Sequence, residues 1–413
     1  MTNSIFPKMF TIQQEFESHA LANPQQELRR QLIANKTLEA IKPGMQVAIA
    51  MGSRGITDIV ALAATLVDEL RQRGAEPFIV PAIGSQGGAT PEGQAAVLRG
   101  LGITEEKVGA PIRSFRKVVK LGETSCGLPV YCDELAYRSD LLVLINRVKP
   151  HTAFKGDIES GLMKMMAVGL GKKESAQAVH SSSKEPAEAI LESARLLMQS
   201  APVGFGIAVV EDAYKNTSKI AVLGPGEIEG AEKDLLRAAR QMMPQLPFDE
   251  LDVLIVEKMG KNISGAGMDP NIIGMGRRLA EYQGLKPNID RIVVLDLTEQ
   301  SQGNAEGIGL ADVITQRLVN KVDFEKTYIN CVTSGFFRGG MVPITIDTDR
   351  EAIALALTGY AADRVRLVRI RNTLKLDELD VSLGLLDEVR TKRNLRIVGE
   401  RGQLAFNRVG DLI

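Results

Sequence analysis

The chain has 413 residues, of which 44% are hydrophobic and 24% charged; these values are ordinary for a globular protein and exclude a disordered or fibrous chain. Its 50 Lys and Arg residues balance 51 Asp and Glu residues, and the formal net charge of −1 argues against a nucleic-acid partner. A chain of this length predicts about two to three domains.

The cysteines and the apolar runs indicate where the protein works. Three cysteines leave at least one unpaired, which is typical of a reducing cytosol. No apolar run approaches the ~18 residues that span a bilayer. The first residues lack the charged-then-apolar layout of a signal peptide. We therefore expect a cytoplasmic protein without a membrane partner.

Short apolar runs alternate with helical periodicity between residues 40 and 240. Apolar residues at helical spacing predict a helix over residues 59–70, with Gly74 as its C-cap. Strands are predicted at residues 45–51, 77–83, 141–146 and 205–210. This alternation of strand and helix is typical of βαβ units and a mainly parallel sheet.

A domain boundary is predicted near residues 243–250, where a long polar helix ends in a Pro-containing segment. Beyond it, strands are predicted at residues 251–256, 292–297 and 328–333, with helices between them. We therefore expect an α/β protein of two domains with mainly parallel sheets, residues 1–245 and residues 246–413, and an active-site cleft between them.

Three loops of the first domain follow predicted strands, which is where ligands bind in open α/β sheets. They span residues 52–57, 84–90 and 147–160. In the first loop, Arg54 lies in a strand-to-helix turn whose main-chain N–H groups suit a phosphate or carboxylate, although such an arginine is often a solvated surface residue. The glycine spacing matches neither a P-loop nor a dinucleotide-binding fingerprint.

Histidines are scarce, and His19, His151 and His180 are the three in the sequence. His151 follows Lys149 and Pro150 directly after a predicted strand, where a neutral imidazole can serve as an acid or a base. His180 ends a predicted helix, where a cation is favourable for electrostatic reasons alone. His19 lies in a polar segment, and we expect it to be solvated.

Lys164 lies in a segment that is apolar nearly all round, beside Leu162, Met163, Met165 and Met166. Desolvation lowers the pKa of a lysine and makes its amine nucleophilic. The alternative is a lysine that extends from a core helix to solvent, with the methionines as core fillers rather than soft metal ligands. The cysteines lack C-x-x-C spacing, which argues against a zinc ribbon.

Taken together and in order, these segments resemble the lactate racemase superfamily of nickel-dependent 2-hydroxyacid racemases and epimerases. The resemblance rests on NRVKPH at residues 146–151, on ESGLMKMM at residues 159–166 and on His180. Residues 52–55, 84–90 and 264–271 are similar to further segments of the same family. The ordered set covers nearly the whole chain and is more specific than any one motif.

The resemblance implies a nickel pincer nucleotide, pyridinium-3,5-bisthiocarboxylic acid mononucleotide nickel, in which nickel is bonded to a ring carbon and two sulfur-bearing arms. Lys164 then corresponds to the lysine that binds this cofactor covalently through a thioamide, and His180 to the protein's nickel ligand. Ser53, Arg54 and Gly55 would anchor the cofactor phosphate or the substrate carboxylate. Cofactor-synthesis enzymes would be the partners that supply the nucleotide.

The resemblance also implies a reaction on a small 2-hydroxy acid. His151 would remove the hydroxyl proton while the Cα hydride moves to the cofactor, and hydride would return to the other face of a 2-keto acid intermediate. Residues 1–245 would bind the cofactor. Residues 246–413 would close over the substrate around Asn271, with Arg277 as a carboxylate partner.

One position departs from the family pattern, because Gln86 stands where the family has a second catalytic histidine. Glutamine can hydrogen-bond a hydroxyl but cannot take a proton at neutral pH. Either another group substitutes, or the two directions differ strongly, or the reaction is not a simple racemisation; we expect a substrate longer than lactate, such as a sugar acid. The alternatives are a family member that binds a hydroxy acid or the cofactor without turnover, and a Schiff-base enzyme that uses Lys164 without nickel.

Overall fold

The computed structural model describes residues 5–53, 55–180, 182, 185–274 and 286–413. The chain divides into two compact units, one of Glu17–Met243 and one that combines the residues up to Phe16 with Pro244–Ile413. No helix among the described residues is both long and apolar enough to cross a bilayer. All three cysteines are free thiols.

The strands follow one another along the chain as β1 Lys8–Gln14, β2 Gln46–Met51, β3 Glu76–Pro81, β4 Val118–Glu123, β5 Pro129–Asp133, β6 Leu141–Arg147, β7 Val203–Glu211, β8 Thr217–Leu223, β9 Glu250–Met259, β10 Asn288–Leu297, β11 Val313–Thr315, β12 Ile344–Ile346, β13 Leu367–Ile370, β14 Glu378–Ser382 and β15 Leu395–Gln403.

The α-helices are α1 Pro24–Ala34, α2 Ile59–Arg71, α3 Pro91–Gly100, α4 Glu105–Val108, α5 Glu134–Arg138, α6 Leu162–Lys164, α7 Lys172–His180, α8 Pro186–Ser200, α9 Pro225–Met242, α10 Pro270–Ile273, α11 Gln316–Asn320, α12 Phe324–Ser334, α13 Asp349–Ala356 and α14 Leu386–Thr391. A π-helical turn, Met165–Gly169, follows α6 directly. Short 3-10 turns occur at Thr37–Ala40, Gly87–Ala89, Glu299–Ser301, Ile308–Leu310, Phe337–Gly340 and Leu383–Leu385.

The unit Glu17–Met243 contains a five-stranded sheet in the order β3-β2-β6-β7-β8, in which β8 alone is antiparallel to its neighbour. Both faces of the sheet are buried, because successive residues of β2 enter different cores: Val47 joins the core beneath α2, and Ala48 joins the core that holds Met163. Helices α8 and α9 contribute to this second core. The segment that carries Lys164 therefore packs on one face of the sheet with α8 and α9.

The other unit contains an eight-stranded sheet in the order β12-β11-β10-β9-β13-β14-β1-β15. The strands from β12 to β13 are parallel, while β14, β1 and β15 are antiparallel to their neighbours. Because β1 pairs with both β14 and β15, the predicted first domain of residues 1–245 needs a correction: it begins at Glu17, and the strand before it belongs to the C-terminal unit.

Six of the predicted strands are confirmed within a few residues as β2, β3, β6, β7, β9 and β10, and the predicted helix over residues 59–70 as α2. Together with the parallel pairing in both sheets, they confirm the predicted α/β class with mainly parallel sheets.

The predicted strand over residues 328–333 is wrong, because these residues lie inside α12. Asp323 caps this helix by accepting a hydrogen bond from a main-chain N–H of the first turn. Thr327 and Cys331, four positions apart, face the core, whereas Ile329 and Val332 are exposed. Apolar β-branched residues are typical of strands, and here they lie on the solvent side of a helix. The prediction of a strand was wrong because it relied on these residue types.

Candidate functional site

His151 lies on a loop that leaves the sheet at the end of β6. The main chain of Lys149 pairs with that of Ser160, with the Lys149 N–H donating to the Ser160 carbonyl at 2.9 Å. This pairing closes the base of residues 150–159, which we call the His151 loop. The loop thus starts at the carboxyl end of a parallel strand, where ligands bind in open α/β sheets.

A buried carboxylate fixes the main chain of the His151 loop. Glu159 is 1% exposed, and it accepts hydrogen bonds from the main-chain N–H groups of His151 and, at 3.2 Å, of Gly156. The guanidinium of Arg240 donates to the same carboxylate at 2.6 Å and to the Gly156 carbonyl at 2.8 Å. Because Glu159 binds the main chain at His151, it fixes the position of the residue through the backbone and not through a nitrogen of the imidazole.

The imidazole of His151 is oriented by two further contacts. The main-chain N–H of Ala153 donates to Nδ1 at 3.1 Å, and the ring of Phe154 lies 4.2 Å from the imidazole, measured between centroids. A nitrogen that accepts a hydrogen bond carries no proton, so this contact favours the tautomer with the ring proton on Nε2.

Lys164 lies at the end of α6, and we call Gly161–Gly169 the Lys164 turn. The N–H groups of Leu162 and Met163 donate to one carboxylate oxygen of Glu232, at 2.6 and 3.1 Å. A Cβ at position 161 would lie 2.4 Å from the Cδ atom of that carboxylate, so the approach requires glycine. The side chains of Leu162 and Met163 are fully buried, which anchors the turn against the sheet.

Glu232 comes from α9 and is 1% exposed. Burial raises the pKa of its carboxyl to about 7, although the hydrogen bonds from the main chain of Met163 and Leu162 act in the opposite direction. Its second oxygen has no hydrogen-bond partner among the described residues. The sequence analysis did not single out Glu232, and no motif or spacing marks it.

The structure brings His151 and Lys164 together. The Nζ atom of Lys164 is in hydrogen-bond contact with Nε2 of His151, and it lies 5.5 Å from the centroid of the Phe154 ring. Each of the two groups can donate when it is protonated and accept when it is not, so the pair can share one proton. When the amine is the acceptor it is uncharged, and an uncharged amine is a nucleophile.

Gly52, the first residue after β2, also reaches this region. A Cβ at position 52 would lie 2.9 Å from Oδ1 of Asn146 and 3.4 Å from the methyl carbon of Met165. The Asn146 amide in turn donates to the carbonyl of Gly161 at 2.7 Å. The loop after β2 thus approaches the end of β6 and the Lys164 turn so closely that a Cβ at position 52 would not fit.

Gln86 lies in an exposed turn after β3, and no hydrogen bond joins it to His151 or Lys164 within the described residues. Its loop is nevertheless anchored to the Lys164 turn, because the N–H of Gly84 donates to the carbonyl of Gly169 at 3.1 Å. Gln94 also holds the loop, by a bond of 2.9 Å from its amide to the Gly84 carbonyl.

The other predicted residues of this unit are only partly described. Ser53 is half-buried and Gly55 is exposed, in the turn after β2. Arg54 lies outside the described residues, as does Arg277 of the other unit. Helix α7 ends at His180, as predicted, but the described part of the chain does not include the His180 side chain. The roles predicted for these residues stay predictions.

The C-terminal unit has a polar cluster of its own where β9 and β10 end. The Lys261 amine donates to the Gly265 carbonyl at 2.5 Å and pairs with the carboxylate of Glu306, which also accepts a bond of 2.6 Å from Ser334. We call these four residues the Lys261 cluster. Sequence analysis missed it, since Lys261 and Glu306 are 45 positions apart.

Asn271, predicted to bind substrate, lies half-buried in α10. Its amide donates to Oδ1 of Asp269 at 2.8 Å, and that oxygen also caps the helix. Among the residues that the structure describes, no group of three or more His, Cys, Asp and Glu side chains could hold a metal ion.

Comparison with known proteins identifies the class. Residues 11–190 match the family model described as the lactate racemase N-terminal domain. This match includes the His151 loop and the Lys164 turn and confirms the resemblance carried by the motifs. Residues 11–190 are thus similar to the N-terminal domain of lactate racemases, and this similarity supports a racemase-type function.

Two solved structures share the fold at low sequence identity. The lactate racemase apoprotein from Thermoanaerobacterium thermosaccharolyticum is 13% identical, with a TM-score of 0.54, and the match covers 89% of this chain and 98% of that one. A protein from Thermotoga maritima is 14% identical, with a TM-score of 0.51, and the match covers 79% and 84% of the two chains. A search among curated proteins gives no match.

Proposed function

We propose that this protein is a racemase or epimerase of a 2-hydroxy acid and that it holds a nickel pincer nucleotide covalently on Lys164. The observation that carries the proposal is the hydrogen bond between Nζ of Lys164 and Nε2 of His151, inside the region matched by the family model. Covalent capture of a cofactor requires a nucleophilic amine, and proton exchange with a hydroxyl requires an acid–base group.

The groups around Lys164 fit this cofactor. In its uncharged form the Lys164 amine suits a thioamide bond, and the imidazole beside it can take up the proton that the amine gives up. His180, sixteen positions after Lys164 at the end of α7, would supply an imidazole, a ligand that suits nickel. The bound cofactor would supply the hydride acceptor, while the protein binds and orients the substrate.

His151 would exchange the proton of the substrate hydroxyl at Nε2. To accept the hydroxyl proton at Nε2, the neutral ring must hold its own proton on Nδ1, which breaks the bond from Ala153. The imidazolium so formed can then return a proton from Nε2 to the carbonyl oxygen. The proposal therefore includes a rearrangement of the turn at residues 151–153 during the reaction.

The substrate we propose is a 2-hydroxy acid longer than lactate, such as a sugar acid, with Asn271 and Arg277 as groups that bind it from the C-terminal unit. Gln86 would orient the substrate by hydrogen bonds, since its amide cannot take a proton. The exposed position of Gln86 also favours a second candidate function, binding of the acid or the cofactor without turnover. We place the protein in the cytoplasm, where cofactor-synthesis enzymes would load it.

The test is to coexpress the chain with the cofactor-synthesis enzymes and to measure intact mass and nickel content. We expect a nucleotide-sized adduct on Lys164 with about one nickel per chain. Lys164→Arg keeps a long basic side chain but has no nucleophilic amine, so it should carry no adduct. Lys120→Arg, a change at an exposed lysine of the same unit, is the matched control and should load like the unchanged chain.

The outcomes separate the candidates. Absence of adduct and nickel, under conditions that load a known family member, would rule out the nickel enzyme. Loaded protein that leaves single enantiomers of a panel of 2-hydroxy acids unchanged would instead support binding without turnover. Trapping of a carbonyl compound on Lys164 by borohydride without nickel would support a Schiff-base enzyme.

A further inference from the structure

Helix α9 touches both halves of the His151–Lys164 pair. Glu232 and Arg240 are eight positions apart, a spacing that places them on the same side of an α-helix. Glu232 accepts the hydrogen bonds from the first residues of the Lys164 turn. Arg240 binds the Glu159 carboxylate and the Gly156 carbonyl of the His151 loop.

We propose that α9 sets the distance between the imidazole of His151 and the amine of Lys164, with Glu232 and Arg240 as positioning residues. The inference rests on the proposed function to the extent that it takes this pair as the reactive groups of the site. It assigns a role to two side chains that neither the motifs nor the family resemblance singled out.

Burial of Glu232 costs free energy, because its carboxylate is removed from water. A buried carboxylate with a single oxygen hydrogen-bonded is a poor source of stability, because desolvation offsets most of what its bonds contribute. The N–H groups that it binds could be capped locally by a serine or aspartate at position 161, as is usual at a helix start. That position is Gly161, so the cap comes from α9 and joins the turn to that helix.

Arg240 joins α9 to the carboxylate at the centre of the His151 loop. The Glu159 side chain is fully buried, and it draws the main chain of His151 and Gly156 around itself. Arg240 pairs with this carboxylate at 2.6 Å, whereas Lys155 of the loop itself lies at 4.0 Å. The carboxylate at the centre of the His151 loop therefore joins this loop to α9.

The experiment measures the reactivity of Lys164 in the cofactor-free full chain by trace acetylation with acetic anhydride at neutral pH. Peptide mass spectrometry gives its rate relative to the exposed Lys120 as an internal reference. We expect Glu232→Ala and Arg240→Met each to lower this ratio by about tenfold, since loss of the hydrogen bond between the amine and the imidazole corresponds to up to about 1.4 kcal/mol. Glu232→Gln should stay near the unchanged chain, because its amide oxygen can accept the same two bonds.

The control separates positioning from stability. Asp212, a buried carboxylate at the β7–β8 turn, accepts the main-chain N–H groups of Tyr214 and Asn216. Asp212→Ala should lower the unfolding temperature and leave the acetylation ratio unchanged. If Glu232→Ala does not fold, the acetylation ratio of Arg240→Met tests the inference. The Arg240 side chain is half-exposed, so its replacement creates no buried cavity.

An acetylation ratio that stays within about twofold of the unchanged chain in Arg240→Met and Glu232→Ala would overturn the inference, as would failure of Glu232→Gln to restore it. The assay uses neither cofactor nor substrate. The acetylation ratio therefore tests the role of α9 even in a chain that never binds the nucleotide. Failure of the proposed function is thus distinguishable from failure of this inference.

Discussion

The His151–Lys164 pair and the Lys261 cluster both lie where parallel strands end, but they use their hydrogen bonds differently. In the pair, buried carboxylates bind main-chain N–H groups, so the imidazole and the amine meet each other. In the Lys261 cluster, the amine is bound to the Glu306 carboxylate and to a carbonyl. Under the proposed function, the same residue type reacts in one place and stabilises the structure in the other.

The difference shows how a reactive lysine can be distinguished from a structural one. An ammonium that pairs with a buried carboxylate is held in its charged form, which is not nucleophilic. An amine that accepts a proton donor is held in its uncharged form. The residue type alone does not distinguish Lys164 from Lys261. What differs is the hydrogen-bond partner of the amine, which is an imidazole for Lys164 and a carboxylate for Lys261.

The largest effect should come from removing the acid–base group of the pair. We expect His151→Gln to lower the turnover of nickel-loaded protein by about 10²–10⁴-fold, since general acid–base catalysis contributes this much. Its adduct on Lys164 should still form during prolonged coexpression. Chiral chromatography of the products measures turnover, and turnover equal to that of the unchanged chain would remove His151 from the reaction.

A large effect on stability is expected at the other lysine. Lys261→Met leaves the buried carboxylate of Glu306 without its cation, which should cost about 3–5 kcal/mol in the free energy of unfolding. Lys164→Met, which breaks the contacts with an imidazole and an aromatic ring, should cost less than Lys261→Met. Scanning calorimetry of the two variants tests the contrast, and equal losses would contradict it.

The pH dependence of stability tests the carboxylate beneath the Lys164 turn. The pKa of Glu232, raised to about 7 by burial, lies above the ordinary value of 4.5. The stability linked to its proton is therefore complete below pH 4.5 and is lost as pH rises to 7. A difference of this size corresponds to about 3 kcal/mol.

Glu232→Gln does not titrate, so between pH 4.5 and 7.5 it should gain this amount relative to the unchanged chain. Denaturant unfolding at several pH values measures the difference. A difference that does not vary with pH would show that the carboxyl keeps its ordinary pKa.

The smallest effect is expected at Gln86. The side chain is exposed, so Gln86→Ala should change the free energy of unfolding by no more than about 0.5 kcal/mol. If Gln86 orients the substrate, the same variant should raise the KM for the hydroxy acid while the adduct on Lys164 forms normally. An unchanged KM would leave this position without a role in binding.

Much of the fold could be predicted because its signals are local. The parallel strands β2, β6 and β9 are buried on both faces, and so they occur as continuous apolar runs. Strand β1 was missed, since its partners in β14 and β15 are more than 350 residues away and leave no local trace. The solvent-facing β-branched residues of α12 caused the opposite error.

The site was predictable where family motifs carry it and otherwise not. His151 and Lys164 are marked by sequence, and the structure places them in contact. Glu232 and Arg240 lie on a helix without a motif, and their partners are main-chain groups or a carboxylate some 70 to 84 positions away. Every residue type offers main-chain groups for a hydrogen bond. Which residue a side chain binds in this way is therefore decided by the fold, and sequence spacing does not reveal it.

The pairing of β1 has a consequence for synthesis. On the ribosome, β1 is made well before the strands that flank it, β14 and β15. The unit Glu17–Met243, whose sheet strands all come from its own span, can complete its fold while β1 waits with both edges unpaired. A nascent chain halted after residue 243 would therefore hold the folded unit that carries His151 and Lys164 together with an unpaired strand, which is prone to pair with a neighbouring chain.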